Sequence, residues 1–286
     1  MTATESSLDD LRREIDDIDD SLHALLMRRA DVQQRIGRAK DSASARIRPG
    51  REARILRRLI ARHESAFPKP VVVQIWREIF AAGLSLQGPF SVAVLGDGRA
   101  ERGLLGIARD HFGTMTQMQE VSSPGQVLQA VGEQRVSVGV LPMPESEEHT
   151  PWWPNMARNG ETVPRIVARL PFARSDRLHA QPEALAVMLG APEETGQDRG
   201  YVALEVPATT SRSALRQALA SANFDVTDWK VHRGERADTY YLVECRSVVR
   251  PGDPRLEAIT RQPGGAIRQV WPLGGYAEPL GPDELA

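Results

Sequence analysis

The sequence predicts a multidomain protein: an all-α domain of three helices, then a small α/β lobe, then an α+β unit. Apolar residues recur at steps of three and four from Leu8 to Lys40, which is the period of a packed helix. After Gly88-Pro89 short apolar runs alternate with helical stretches, and from residue 196 the predicted order is β-α-β-β-α-β. A chain of 286 residues is long enough for two or three domains with their own cores.

The first predicted helix carries a heptad-like apolar seam that one charged residue interrupts. The seam comprises Leu8, Leu11, Ile15, Ile18, Leu22, Leu25, Val32 and Ile36. Arg29 occupies the position between Leu25 and Val32, where an apolar residue is expected. A lone charged seam residue commonly reaches past its neighbours to solvent. The alternative is an anion-binding site between helices.

Two further helices favour the anion site. Pro49 suits a helix start, with a helix from Arg51 to Glu64 after it, and a third helix is predicted from Val71 to Gln87. Each of the three helices directs polar side chains towards its apolar side: Arg12, Arg29, Lys40, Arg51, Glu52 and Gln87. Because a buried cation needs an anionic partner, this set predicts a pocket for a polyanion. The other arginines of the second helix are interpreted as a solvated outer face.

Five segments resemble the all-helical chorismate mutases. They are Leu-Arg-Arg-Glu-Ile-Asp-Asp-Ile-Asp (11–19), Leu-Leu-Met-Arg-Arg (25–29), Gly-Arg-Ala-Lys (37–40), Arg-Glu (51–52) and the helix ending in Gln87. The resemblance covers nearly all of residues 6–87. It implies an intertwined homodimer in which the long first helix spans both active sites. It also carries all six inward polar residues over as site residues, with Arg12 reaching into the partner's site.

The residue types fit the rearrangement of chorismate to prephenate, which needs no nucleophile, metal or redox cofactor. The enzyme holds a flexible dianion in its reactive conformer, which is a positioning task. We expect Arg12 and Arg29 to grip carboxylates through bidentate forks. Lys40 and Gln87 are the donors expected at the ether oxygen, where negative charge grows. Glu52 is expected to accept a hydrogen bond from the substrate hydroxyl.

Arg51 is expected to brace Glu52 or to reach a carboxylate, and two nearby positions depart from the family pattern. Three residues before the Arg-Glu pair the family commonly has Asp, and this chain has Arg48. Four residues before the final Gln the family commonly has Ser, and this chain has Gly83. Both are substrate-contacting positions, so the departures bear on affinity more than on activity.

Residues 89–195 are predicted to form a truncated lobe similar to the first lobe of prephenate dehydratases. The resemblance rests on Val-Ala-Val-Leu-Gly (92–96), His-Phe-Gly (111–113) and Val-Gly-Val-Leu-Pro-Met (138–143). The family's Glu-Asn reads Pro144-Glu145 here, and its catalytic Thr-Arg-Phe occurs nowhere in the chain. We therefore expect no dehydratase activity. Trp152-Trp153 are interpreted as a packed loop anchor rather than a ligand-binding wall.

Residues 196–286, after a linker at Gly196 to Arg199, resemble the ferredoxin-like ACT domain. Leu-Gly-Gly-Tyr (273–276) matches the end of that domain, Ser213-Ala214-Leu215 matches its Gly-Ala-Leu in part, and its Glu-Ser-Arg-Pro motif is absent. The resemblance implies regulation by phenylalanine or tyrosine. A module used only for dimer contacts is the equally weighted alternative.

Composition favours a soluble cytosolic protein. The net charge is −2, with 36 basic and 38 acidic residues, so nothing indicates nucleic acid or a membrane as a partner. The single cysteine, Cys245, excludes an intrachain disulfide framework and suits a reducing compartment. No apolar run is long enough to span a bilayer.

These observations predict a chorismate mutase of phenylalanine and tyrosine biosynthesis, with chorismate as its substrate and a homodimer formed through residues 1–88. One alternative is a bifunctional chorismate mutase/prephenate dehydratase, which the absent Thr-Arg-Phe segment disfavours. The other is a non-catalytic sensor of aromatic metabolites. The six inward polar groups disfavour the sensor, because dimerisation alone would be served better by apolar residues.

Overall fold

The computed structural model describes residues 7–39, 47–96, 98, 103–146, 148, 150–173, 182–233, 238–261 and 266–286. The helices are α1 (Leu8–Arg38), α2 (Pro49–Ala61), α3 (Lys69–Ser85), α4 (Leu104–Phe112), α5 (Pro124–Gly132), α6 (Arg212–Ser221), α7 (Pro254–Thr260) and α8 (Pro282–Leu285). The strands are β1 (Ser91–Leu95), β2 (Gln117–Val121), β3 (Val138–Pro142), β4 (Arg165–Leu170), β5 (Ala184–Met188), β6 (Asp198–Pro207), β7 (Val226–Arg233), β8 (Asp238–Cys245) and β9 (Gln269–Ala277). The protein thus has an N-terminal helical region and a large mixed sheet.

Helix α1 presents an apolar face that is largely exposed. It begins at a capping box, in which Ser7 accepts from the backbone of Asp10 and Asp10 accepts from the backbone of Ser7. None of its residues is buried, and the seam remains open: Leu8 is 64% exposed and Ile15 is 57% exposed. An open apolar seam of this length is typical of a helix that packs lengthwise on another chain.

One nine-stranded sheet forms the rest of the framework, in the order β2-β1-β3-β5-β4-β9-β6-β8-β7. Strand β1 pairs in parallel with β2 and β3, whereas β6 to β9 pair only with antiparallel neighbours among themselves. The two halves join where β4 runs parallel to β9, at Ile166 and Gly274. A Cβ atom on Gly274 would lie 2.3 Å from the Ile166 carbonyl oxygen, so this junction requires glycine.

The sequence predicted most of these elements but neither β5 nor the continuity of the sheet. Strand β5 is Ala-Leu-Ala-Val-Met, a continuous apolar run that is buried between β3 and β4. Such a run has no alternation to mark it as a strand. The linker expected at Gly196 to Arg199 is also wrong in part, because β6 begins at Asp198. The tandem tryptophans are confirmed as a packed anchor, since Trp152 and Trp153 are each 1% exposed.

Helices α2 and α3 dock on the sheet rather than standing apart from it. Leu56 and Phe80 share an apolar cluster with Phe172, Ala277 and Leu280, which lie at the ends of β4 and β9. The interpretation of the arginines of α2 as a solvated face is wrong at Arg57 and Arg58, the second of which lines a pocket. The Arg57 guanidinium donates to the Thr195 hydroxyl at 2.8 Å and to the carbonyls of residues 197 and 278.

No helix among the described residues has the length and apolar character needed to cross a membrane.

Candidate active site

A pocket of about 530 Å³ opens between the C-terminal half of α1, the first turns of α2 and the length of α3. Its walls combine charged groups with apolar side chains: Arg29, Val32, Gln33, Ile36, Arg48, Arg51, Glu52, Ile55, Arg58, Trp76, Phe80, Leu84 and Gln87. Four of these residues are arginines, and Glu52 is the one carboxylate among the described lining residues. The pocket is therefore suited to an anion.

Arg29 is held in the wall by three contacts. Its Nη1 donates to the Gln33 Oε1 at 2.7 Å and to the Ile79 carbonyl at 3.2 Å. Its guanidinium carbon lies 5.7 Å from the centre of the Phe80 ring. Burial lowers the pKa of Arg29, against the opposing effect of Glu52, so the residue stands as a half-buried cation at the pocket.

Glu52 forms a buried ion pair with Arg77, which the sequence analysis did not identify. Arg77 is 4% exposed and its Nη1 donates to the Glu52 Oε2 at 2.9 Å. Burial raises the pKa of Glu52 to about 7, although Arg77 opposes the shift. The guanidinium of Arg77 also lies over the Phe172 ring, 5.2 Å from its centre. Arg77 rather than Arg51 is the residue hydrogen-bonded to Glu52, and it connects the pocket to the sheet.

Behind this ion pair lies His111 on α4. Its side chain is buried, and burial together with the nearby charge of Arg77 places its pKa well below the ordinary value. The imidazole is therefore neutral at physiological pH and adds no charge to the pocket.

Gln87 stands two residues past the end of α3 and closes one side of the pocket. Its Nε2 donates to the Gly83 carbonyl at 3.1 Å, and its backbone N–H donates to the Leu84 carbonyl at 2.9 Å. Helix α1 approaches it closely, because a Cβ on Gly37 would lie 3.1 Å from the Gln87 Cα. The expected continuation of α3 through Gln87 is wrong, since a turn after Ser85 carries this residue.

The first turn of α2 receives a carboxylate from a residue 142 positions further along the chain. Glu193 lies between β5 and β6 and accepts from the Arg48 Nε at 2.7 Å and from the Arg51 backbone N–H at 3.0 Å. Carboxylates are favoured at helix N-termini, where unpaired N–H groups converge. Gly50 makes the approach possible, because a Cβ there would lie 2.6 Å from the Glu193 Cβ. Arg48 thus forms an ion pair with Glu193, a residue distant in sequence.

Five of the eight residues named from the sequence line this one pocket, namely Arg29, Arg48, Arg51, Glu52 and Gln87. Gly83 is buried beneath it, under the Gln33 side chain. Arg12 is not among the lining residues; it is exposed on the first turns of α1, where it pairs with Asp9 at 3.2 Å. Lys40 lies outside the described residues.

Sequence reasoning missed Gln33, Arg58 and Arg77 as pocket or supporting residues. Gln33 follows Arg29 by four positions, so helical spacing could have indicated it. Arg77 is separated from Glu52 by 25 positions and carries no local signal.

A second pocket, of about 590 Å³, lies on the sheet near the ends of β4, β6, β8 and β9. It is also rich in arginine, but its arginines are matched by acidic side chains. Its charged lining residues are Arg169, Arg199, Asp225, Glu244, Arg246 and Glu278. In the described part of the chain, no group of three or more His, Cys, Asp or Glu residues is arranged to hold a metal ion.

Comparison with known proteins assigns the helical region. Residues 11–88 match the family model described as chorismate mutase type II. The match spans α2, α3, all but the first turn of α1 and every lining residue of the first pocket, so that pocket lies within the segment similar to chorismate mutases.

Curated relatives extend the similarity beyond this domain. A bifunctional chorismate mutase/prephenate dehydratase of Aquifex aeolicus is 33% identical over 146 residues, which cover 49% of this chain and 40% of the relative. A protein of the same description from Pseudomonas aeruginosa is 29% identical over 153 residues, covering 51% and 41%. The chain thus spans about two fifths of the length of the curated relatives it matches.

Among solved structures, prephenate dehydratase from Streptococcus mutans aligns with a TM-score of 0.47 and 16% identity. The alignment covers 66% of this chain and 98% of that chain.

Proposed function

We propose that the protein is a chorismate mutase of phenylalanine and tyrosine biosynthesis, acting at the pocket of Arg29, Glu52 and Gln87. The observation that carries the proposal is the charge of this pocket: four arginines and one carboxylate line it, and a buried arginine already pairs that carboxylate. Chorismate is a dianion, so it supplies the negative charge that such walls require.

The walls suit a rearrangement in which positioning replaces covalent chemistry. The guanidinium of Arg29 is fixed on three sides and can hold one carboxylate through its planar fork. Trp76 and Phe80 give the apolar surface against which a compact ring and its enolpyruvyl side chain pack. The Gln87 amide is the donor we assign to the ether oxygen as the C–O bond breaks, with Lys40 as its partner.

Glu52 is assigned to the substrate hydroxyl, and Arg77 keeps it in place. A carboxylate held by a buried guanidinium retains a second oxygen for an incoming O–H group. Arg51 lines the same wall and is assigned to a carboxylate of the substrate. Arg48 and Gly83 complete the substrate-binding set.

We propose a homodimer in which α1 packs along a second copy of the chain and contributes Arg12 to the partner's site. The support is the uncovered seam of α1 and the exposed position of Arg12, away from the pocket of its own chain. Mixing Arg12→Ala and Arg29→Ala proteins after co-refolding tests this. A heterodimer regains one site with both arginines, so we expect activity to return in part. A mixture as inactive as its parents would place Arg12 outside the composite site.

For the remaining residues we propose a dehydratase-like lobe without activity and a C-terminal ACT-like unit that responds to phenylalanine or tyrosine. The four strands β9-β6-β8-β7 follow the β-α-β-β-α-β order with antiparallel neighbours, which supports the ferredoxin-like assignment. The absence of Thr-Arg-Phe from the sequence supports an inactive lobe.

One assay separates the three functions. Purified protein is given chorismate, and prephenate and phenylpyruvate are both quantified, with and without phenylalanine or tyrosine. We expect prephenate to accumulate without phenylpyruvate. Enzyme-dependent phenylpyruvate at neutral pH would establish the bifunctional alternative. Binding of prephenate without turnover of chorismate would establish the sensor.

A further inference from the structure

Gln33 occupies an unusual position between α1 and α3. It lies one turn after Arg29, and its side chain extends across the buried backbone of Gly83. The Arg29 Nη1 donates to its carboxamide at 2.7 Å. A guanidinium group has only donors, so the atom that faces it is the carboxamide oxygen. The carboxamide is therefore oriented by Arg29, and Arg29 is oriented by the carboxamide.

Gly83 provides the space that this arrangement needs. A Cβ atom on Gly83 would lie 1.8 Å from the Gln33 Nε2 and 2.2 Å from both Cδ and Oε1. Real Cβ contacts are never this short, so any side chain at position 83 would displace the carboxamide. Glycine within a helix is destabilising relative to alanine. Its presence inside α3 is explained here by the volume it leaves for Gln33.

We propose that Gln33 is a positioning residue of the mutase site, which fixes the guanidinium of Arg29, and that Gly83 is the residue that makes room for it. The proposal rests on the proposed function. Of the three described contacts of Arg29, the Ile79 carbonyl and the Phe80 ring both belong to α3. Gln33 is the contact from α1, so its loss leaves the guanidinium held from α3 alone and able to turn away from the substrate carboxylate.

The first test replaces Gln33 with methionine, which has similar length and no hydrogen-bonding carboxamide. Hydrogen bonds to charged groups have a net worth that corresponds to roughly a tenfold to hundredfold change, so we expect kcat/KM for chorismate to fall by about that factor. Gln34→Met is the matched control, because Gln34 is the exposed neighbour on the same helix. It should keep kcat/KM within about twofold. A Gln33→Met protein with wild-type kinetics would overturn the proposal.

A second measurement separates positioning from a general structural role. If Gln33 acts through Arg29, Gln33→Met should have almost no further effect in an Arg29→Ala protein, because the two substitutions remove one unit. If Gln33→Met lowers kcat/KM by the same factor in the wild-type and in the Arg29→Ala protein, Gln33 acts independently of Arg29 and the inference is refuted. A wild-type protein that neither turns over chorismate nor binds prephenate would instead refute the proposed function, so the two failures are distinguishable.

The role of Gly83 is tested by the same logic. Gly83→Ala should lower kcat/KM about as much as Gln33→Met in the wild-type background. In a Gln33→Ala background the overlap is absent, and the same substitution should lower kcat/KM by a clearly smaller factor than in the wild-type background. There it should also raise the melting temperature, because alanine is the better helix former. If Gly83→Ala alone fails to fold, the double variant with Gln33→Ala still tests the proposal. Removing the overlap should restore folding, and a double variant that is equally unfolded would contradict the proposal.

Discussion

The two arginine-rich pockets of this protein differ in how their charges are matched. In the pocket on the sheet, the Arg169 Nη2 donates to the Glu183 Oε2 at 2.7 Å, and Arg199 and Arg246 pair with Glu278 and Asp225. Burial alone would lower the pKa of Arg169, but Tyr276 and Glu183 outweigh it and raise that pKa.

The pocket in the helical region has the opposite balance. Four arginines face it; Arg48 among them is paired with Glu193, and the carboxylate of Glu52 is already paired by Arg77 on its far side. The remaining positive charge of this pocket can be neutralised by an external dianion, whereas the arginines of the sheet pocket are already neutralised by acidic side chains. The number of arginines is thus a poor guide to an anion site. The balance of charge after internal pairing is what distinguishes the two.

The largest expected effect is that of Arg29→Ala, which removes a cation from the unbalanced pocket. Loss of a charged hydrogen-bonded contact to substrate implies about 2–5 kcal/mol, or roughly a hundredfold or more in kcat/KM. Steady-state kinetics with chorismate measure the loss, and circular dichroism checks that the helices remain. A folded Arg29→Ala protein with normal kinetics would show that this pocket does not bind the substrate anion.

Glu52→Gln should change how stability depends on pH. Because burial raises the pKa of Glu52 to about 7 from an ordinary 4.5, the folded state binds a proton between these values that the unfolded state releases. Stability from this group is therefore present below about pH 4.5 and is lost as pH rises through 7, by up to about 3 kcal/mol. Urea unfolding should show that the free energy of unfolding falls less between pH 5 and pH 7.5 in the Glu52→Gln protein than in the wild type.

Glu64→Gln, at an exposed position after α2, is the control for this experiment and should leave the pH dependence as in the wild type. If Glu52→Gln and Glu64→Gln give the same profile, the buried ion pair does not govern this dependence.

Gln87→Glu should slow the reaction at neutral pH and recover towards acid pH. A carboxylate at the ether oxygen repels the growing negative charge, while the protonated acid donates as glutamine does. Loss of one such donor costs about a hundredfold or more in kcat, which sets the expected decrease at pH 7.5. The test is the ratio of variant to wild-type kcat between pH 5 and 8. A constant ratio would place Gln87 outside the reacting centre.

The smallest effect is expected in the balanced pocket, and it should appear in stability rather than in activity. Arg169→Ala removes the partner of Glu183 and a donor to the Tyr276 hydroxyl, so the free energy of unfolding should fall by about 2 kcal/mol. Mutase kcat/KM should stay within about twofold of the wild type.

Arg246→Ala is the matched control, because its pair with Asp225 is exposed on both sides. Its effect on stability should be close to zero. A large loss of mutase activity in the Arg169 variant would erase the distinction between the two pockets.

The sequence by itself determined the helical domain and most of its pocket. Helical periodicity fixes which side chains share a face, so the inward positions of Arg29 and Glu52 could be read from spacing alone, whereas Gln87 lines the pocket from a turn after α3. The short strands and helices after residue 88 were predictable for the same local reason, because turn residues and apolar runs mark them. These predictions depend on contacts between residues close in the chain.

Only the tertiary structure decided which distant groups meet. The approach of Glu193 to the first turn of α2, the burial of Arg77 against Glu52 and the parallel pairing of β4 with β9 join segments far apart in the chain. Their partners are selected by packing over the whole fold, and neither periodicity nor local composition encodes that choice. Gln33 illustrates both kinds of information. Helical spacing relates it to Arg29, but its fit over Gly83 exists only once α1 and α3 are in contact.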